Sequence, residues 1–257
     1  MKLGIFYSVY NGTELLNGSI RNILPYVDVV LLHYQTTSNR GNRSNEFEEW
    51  HEKNKDTLSD KVQILKYRPR NEWDKTKKNE RIKYNIAAKH LLEQGCTHFM
   101  MAACDHYYEP EQFAWAKAQA KDYQVTWSKM YTYYKYPTWQ LTPMENYYMP
   151  FICQLTANTK IGYGFPVRVD PANGVAPFKT YRQFEPKELI LHHYSMIRQD
   201  IRNKFVNAAS NINWKNKVNE FVNEYENYDI EVNKGVSYFS GDGNIRKIKV
   251  VPNWFNI

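Results

Sequence analysis

An apolar run from Phe99 to Cys104 delivers Asp105, with His106, Tyr107, Tyr108, Glu109 and Pro110 directly behind it. A carboxylate exposed at the end of a strand beside a histidine is a place to hold a hard divalent cation, and such a cation grips a diphosphate. The alternative is an aspartate that caps the helix that follows. The segment leading into Asp105 bears on that choice. It carries Arg81, Lys83 and Asn85 on a helical stretch, inside a block from Lys61 to His90 with ten Lys/Arg against three acids. Such a block attracts phosphate, whether on a nucleotide, a nucleic acid or an acidic membrane surface, unless it is only a solvated helix face.

Other chemistries lack their signatures. There is no G-x-G-x-x-G, no P-loop and no G-x-S-x-G elbow. Cys96, Cys104 and Cys153 show no C-x-x-C spacing, so zinc and redox roles are not indicated and a reducing cytoplasm is the expected compartment.

The elements that must position Asp105 follow from hydrophobic spacing. Residues 2–9 read as a strand ending in Tyr10, Asn11 and Gly12, and Leu16, Ile20, Ile23 and Leu24 mark a helix that Pro25 stops. Apolar runs at 27–32 and 62–65 read as second and third strands. Tyr84, Ala87, Ala88, Leu91 and Leu92 lie at helical spacing, with Gly95 placed to end that helix. The run before Asp105 is the fourth strand. This alternation predicts a parallel sheet covered by helices, whose ligands bind outside the carboxyl ends of the strands. Ser8 to Asn11, Gln35 to Asn39, and Asp105 with His106 all fall at such ends. Further on, 111–123 reads as a helix, 125–143 as an aromatic strand segment, and 145–170 as more strands. Ile197, Ile201, Phe205, Ala208 and Ile212 predict one helix face, Trp214 to Tyr225 continue a helix, and a turn at 241–244 precedes a last strand.

With 257 residues, 42% of them hydrophobic and 24% charged, the chain is long and apolar enough to fold around a core without disulfides or metal staples. No apolar run approaches the ~18 residues of a membrane helix. The N-terminus reads as a first strand and not as a leader, and no repeat period is visible.

The ordered set of Ser8, Tyr10 and Asn11 after the first strand, a polar cluster after the second, Arg81, Lys83 and Asn85 on a helix, and a strand ending in Asp105 before Tyr108-Glu109-Pro110 resembles the nucleotide-sugar half of GT-A fold, family 2-like glycosyltransferases. The likeness covers residues 1–110. It implies an α/β, GT-A-like (Rossmann-like), mostly parallel sheet flanked by helices, with a C-terminal helical extension. Residues 1–195 would form the catalytic domain, with 1–110 as its nucleotide-sugar half and 111–195 as its acceptor half, and 196–257 would form the extension. On the same likeness a UDP-sugar donor would be bound by Ser8, Tyr10, Asn11, Gln35, Arg81 or Lys83, and Asp105. Gln35 stands where the family has an acid that contacts the base or ribose. Asp105 would be the metal-binding end of a D-x-D motif whose first acid is here Ala103, with His193 or His192 as a late ligand to manganese or magnesium. An inverting transfer needs a base, for which Glu145 and Asp170 are the candidates.

The expected acceptor is a hydroxyl compound. Tyr131, Tyr133, Tyr134, Tyr136, Trp139, Tyr147 and Tyr148 crowd one segment, and aromatic rings stack on sugars and bases alike. Tyr134, Trp139, Arg198 and Arg202 are the expected acceptor contacts, with Lys204 adding to a second basic surface. That charge, and a Lys-, Asn- and Tyr-rich composition similar to proteins of AT-rich phages, favour duplex DNA carrying a hydroxymethylated pyrimidine. A surface glycan or lipid-linked saccharide is the rival acceptor. A non-catalytic nucleic-acid or carbohydrate binder is the rival class, which Ala103 favours. Asp105→Ala is expected to reduce transfer by orders of magnitude while leaving the fold intact.

Overall fold

A computed structural model describes residues 1–70, 75–208, 215–236 and 245–257. Ile212, Trp214, the turn at 241–244, and the acids Glu72 and Asp74 of the basic block lie outside the described residues. The strands and helices run β1 (Leu3–Val9), α1 (Leu16–Ile23), β2 (Val29–Tyr34), α2 (Glu46–Asn54), β3 (Val62–Lys66), α3 (Thr76–Glu93), β4 (His98–Ala102), β5 (His106–Tyr107), α4 (Pro110–Ala120), β6 (Val125–Tyr134), β7 (Trp139–Thr142), β8 (Met149–Gln154), β9 (Lys160–Ile161), β10 (Val175–Ala176), β11 (Tyr181–Gln183), β12 (Ile190–Met196), α5 (Ile201–Asn207), α6 (Val218–Glu226) and β13 (Lys247–Val250).

The main path of the large sheet has the order β13-β7-β6-β8-β4-β1-β2-β3. Strands β3, β2, β1 and β4 are parallel, β8 pairs antiparallel with both β4 and β6, and β12 joins β6 in parallel. This is the α/β, GT-A-like arrangement the sequence predicts, a curled sheet flanked by helices. Burial explains the first half. Leu3, Ile5, Phe6 and Tyr7 of β1 are all at most 1% exposed, because a parallel strand covered on both faces needs a continuous apolar run. Helix α1 buries Leu16, Ile20 and Ile23, the stripe read from spacing. Helix α3 buries Ala87, Ala88 and Leu91. Gly4 permits its close approach, since a Cβ there would stand 2.8 Å from the Leu91 side chain.

The register Gly4↔Val29 and Leu3↔His98 brings the carboxyl ends of β1, β2 and β4 to one edge. The second half of the chain closes over that edge. Tyr134, Leu141, Met196, Ile201, Phe205, Val222 and Tyr225 form a smaller core there. The predicted helix face from Ile197 onward is shorter than its spacing suggests: α5 starts at Ile201, where Asp200 accepts the Asn203 N–H at 2.8 Å as its N-cap. Ile197 and Arg198 therefore lie in the connection between β12 and α5. No helix among the described residues is long and apolar enough to cross a membrane.

Candidate functional site

At the carboxyl edge of β1, β2 and β4 lies a cleft of 1080 Å³, lined by Ser8, Tyr10, Asn11, Gln35, Lys83 and Asp105 among others. Of the seven nucleotide-sugar candidates, these six come together from three strand ends and one helix. Arg81 does not. Positions 81 and 83 are about 200° apart around a helix, so Lys83 faces the cleft while Arg81 packs over the Tyr163 ring at 5.3 Å and lies against Gly162.

Asp105 is 1% exposed and divides its two oxygens between two kinds of partner. Its Oδ1 faces the Nε2 atoms of His106 at 3.8 Å and His193 at 3.7 Å and has no hydrogen-bond partner. Its Oδ2 accepts a hydrogen bond from Nη2 of Arg198 and lies 3.6 Å from Nζ of Lys204. Burial works to raise the Asp105 carboxyl, but Arg198, Lys204 and the two histidines hold it well below the usual carboxylate range. Burial pulls His106 down to about 4 and His193 to about 3, so both rings are neutral at pH 7. One ligand atom from each of Asp105, His106 and His193 lies within 4.8 Å of the others. An orphaned carboxylate oxygen beside two neutral imidazoles fits a manganese-like divalent ion. His106, which sequence reasoning left as a mere neighbour of Asp105, belongs to this group.

His192 is not part of it. Successive side chains on a strand point to opposite faces, and His192 accordingly turns away to Tyr133 Oη at 2.7 Å and Glu109 Oε1 at 3.5 Å, against the Phe255 ring.

The nucleotide side is polar and tightly held. Lys83 is 1% exposed, its Nζ donates to the Val9 carbonyl at 3.3 Å, and burial lowers it to about 7. Gln35 Nε2 donates to the Thr37 carbonyl and Asn39 Oδ1, leaving its buried Oε1 without a partner. Ser8 and Tyr84 both line the cleft, and Tyr10 Oη donates to the Asn42 carbonyl at 2.9 Å.

Both candidate bases line the cleft. Asp170 accepts from Lys77 Nζ at 2.7 and 3.0 Å and from the Ala172 N–H at 2.8 Å. Glu145 Oε1 accepts from Thr132 Oγ1 at 2.5 Å. Glu80, which the sequence reading passed over, lies half-buried in the lining, one turn before Lys83; desolvation raises its carboxyl while Lys77 opposes.

The expected acceptor contacts are the least well placed. Tyr134 is fully buried between Tyr225 and Tyr228, and Trp139 packs on Tyr136 and Tyr228 in the same small core, since half of a strand's side chains must face inward. Arg202 bonds Asn219 at 2.7 Å, away from the cleft. Arg198 and Lys204 point into the cleft at Asp105, so they do not form an outer basic surface for DNA. The basic block is also partly neutralised, with Lys66 on Glu48 and Lys77 on Asp170 and Glu80.

No family model matches the chain, and no curated protein matches it. Among solved structures it is similar to S. aureus TarS 1–349, at 10% identity and a TM-score of 0.47 over 90% of this chain and 74% of that one. TarS 1–349 in complex with UDP gives 11% and 0.46 over the same shares. For TarS 1–349 in complex with UDP-GlcNAc the values are 13% and 0.36, over 51% of this chain and only 35% of that chain.

Proposed function

We propose that the chain is a glycosyltransferase that moves a sugar from a nucleoside diphosphate, UDP in the first instance, to a hydroxyl acceptor. The observation that carries this reading is the convergence of Ser8, Tyr10, Asn11, Gln35, Lys83 and Asp105 on one cleft at the carboxyl edge of a parallel sheet. In this reading the unpartnered Oε1 of Gln35 accepts a base N–H and Lys83, in the same cleft, faces a phosphate. Asp105, His106 and His193 would hold a divalent ion, which when bound neutralises the leaving diphosphate.

Glu145 is the base in this reading. Asp170 has both oxygens on Lys77, whereas Glu145 is held through Thr132 without an ion pair of its own among the described residues. It takes the acceptor hydroxyl proton as that oxygen attacks the anomeric carbon and the bond to the diphosphate oxygen breaks. Residues 1–195 carry the donor and base groups, and 196–257 contribute Arg198 and Lys204.

The test is a transfer screen of UDP-sugars and other sugar nucleotides. Its acceptor arms are hydroxymethylated DNA, unmodified DNA, free saccharides and lipid-linked saccharides, each run with manganese and with chelator. Sugar release or transfer that Glu145→Gln abolishes and Asp170→Asn reduces less is the expected result. Binding without turnover of any donor would replace this reading with the binder.

A further inference from the structure

Arg198 is a buried cation with unused donors. Its side chain is 6% exposed and Nη2 is bonded to Asp105, yet Nε and Nη1 have no hydrogen-bond partner. A buried N–H without an acceptor carries its full desolvation cost, so a guanidinium left this way in a cleft is short of an acceptor. Lys204, from α5, lies near the same Asp105 oxygen, and both side chains line the cleft with Ser8, Asn11 and Lys83. Glu14 is the other acid whose charge acts on Arg198. The guanidinium comes close to the loop after β1 only because residue 12 is glycine: a Cβ there would stand 2.8 Å from Cζ.

We infer that Arg198 and Lys204 bind the donor's diphosphate directly, as a built-in cation pair that exchanges the Asp105 oxygen for phosphate oxygens. The inference rests on the glycosyltransferase reading and assigns that site its diphosphate contacts. A guanidinium offers two parallel N–H donors to a phosphate, and an ammonium adds a point charge. Together they carry the same charge as one divalent ion, on the oxygen of Asp105 that does not face the histidines. No covalent bond is made or broken in this exchange.

The test is calorimetric titration of pyrophosphate, UDP and uridine, with chelator present, into the wild type, Arg198→Lys and Lys204→Gln. Arg198→Lys keeps the charge on Asp105 and loses the fork. Lys204→Gln leaves the Arg198–Asp105 bond in place, and thermal melts check that both variants are folded. The expected result is tight binding of pyrophosphate and UDP to the wild type without a divalent ion, weakened about tenfold or more in Arg198→Lys and several-fold in Lys204→Gln, with uridine unchanged. Equal pyrophosphate affinity in all three proteins, or wild-type binding only when a divalent ion is added, overturns the clamp. If UDP-sugar transfer persists beside that result, the glycosyltransferase reading survives it. If pyrophosphate binding depends on Arg198 but no nucleotide or sugar nucleotide binds, the clamp stands and the reading falls.

Discussion

Gly12 and Arg198, 186 positions apart, are in such close approach that a methyl group on the first would displace the guanidinium of the second. Gly12 also holds φ at +81°, a left-handed conformation that costs a side-chain-bearing residue about 1–2 kcal/mol. Gly12→Ala is therefore expected to lower the melting temperature by about 2–4 °C per kcal/mol lost. It should also weaken pyrophosphate binding with the Arg198 variants. A thermal melt and a titration check both, and a normal affinity would mean that Arg198 does not need its present place.

Asp105→Asn tests the carboxylate as a structural partner as well as a site residue. Removing its charge leaves the buried Arg198 guanidinium, with the half-buried Lys204 beside it, without their shared acid, and breaking a buried pair in this way costs about 3–5 kcal/mol. On that ground the variant is expected to fold with lower stability than the sequence alone suggests. Urea unfolding should show the loss, alongside a fall in transfer of orders of magnitude.

Lys83 couples donor binding to protons. Its pKa is lowered by burial to about 7, so above that value the ammonium is largely neutral in the free protein. A diphosphate next to it restores the charge, and binding of UDP at pH 8 should take up as much as about one proton. Calorimetry in buffers of different ionisation enthalpy measures the uptake. Lys83→Met should abolish it, whereas Arg81→Ala should leave it unchanged.

Acid should destabilise the protein well above the carboxylate range. Burial lowers His33 and His193 to about 3 and His106 and His192 to about 4, from 6.5. Between those values and 6.5 the unfolded chain binds protons that the folded chain refuses, so the stability from these neutral rings is complete above 6.5 and lost as pH falls toward 4. Each fully shifted histidine contributes a slope of about 1.4 kcal/mol per pH unit in that window. Urea midpoints at pH 7.5 and pH 5 report the loss. His33, whose two ring nitrogens lack partners, is the member to replace, and His33→Met should flatten the profile.

The periodicity of Leu16, Ile20 and Ile23, the alanines of α3 and the continuous apolar runs of β1, β2 and β4 determined the parallel half of the sheet by themselves. Those patterns are local consequences of burying one helix face or both strand faces. They also placed Ser8, Gln35 and Asp105 at strand ends, and thereby in one cleft. What spacing could not decide was direction at single positions. Whether Arg81 or Lys83 reaches inward depends on the angular position of α3 against β1, and whether His192 or His193 meets Asp105 depends on the register of β12 with β6 and β5. Tyr134 and Trp139 read as accessible aromatics until Tyr225 of α6 and Tyr228 just beyond it packed on them. Arg198 and Lys204 read as a surface because charge is usually solvated; only the fold of residues 197–207 back over β4 turned them onto a buried carboxylate 93 and 99 positions away. Long-range pairing of that kind leaves no trace in a local pattern, because its energy comes from two groups that the chain brings together only when the whole sheet has closed.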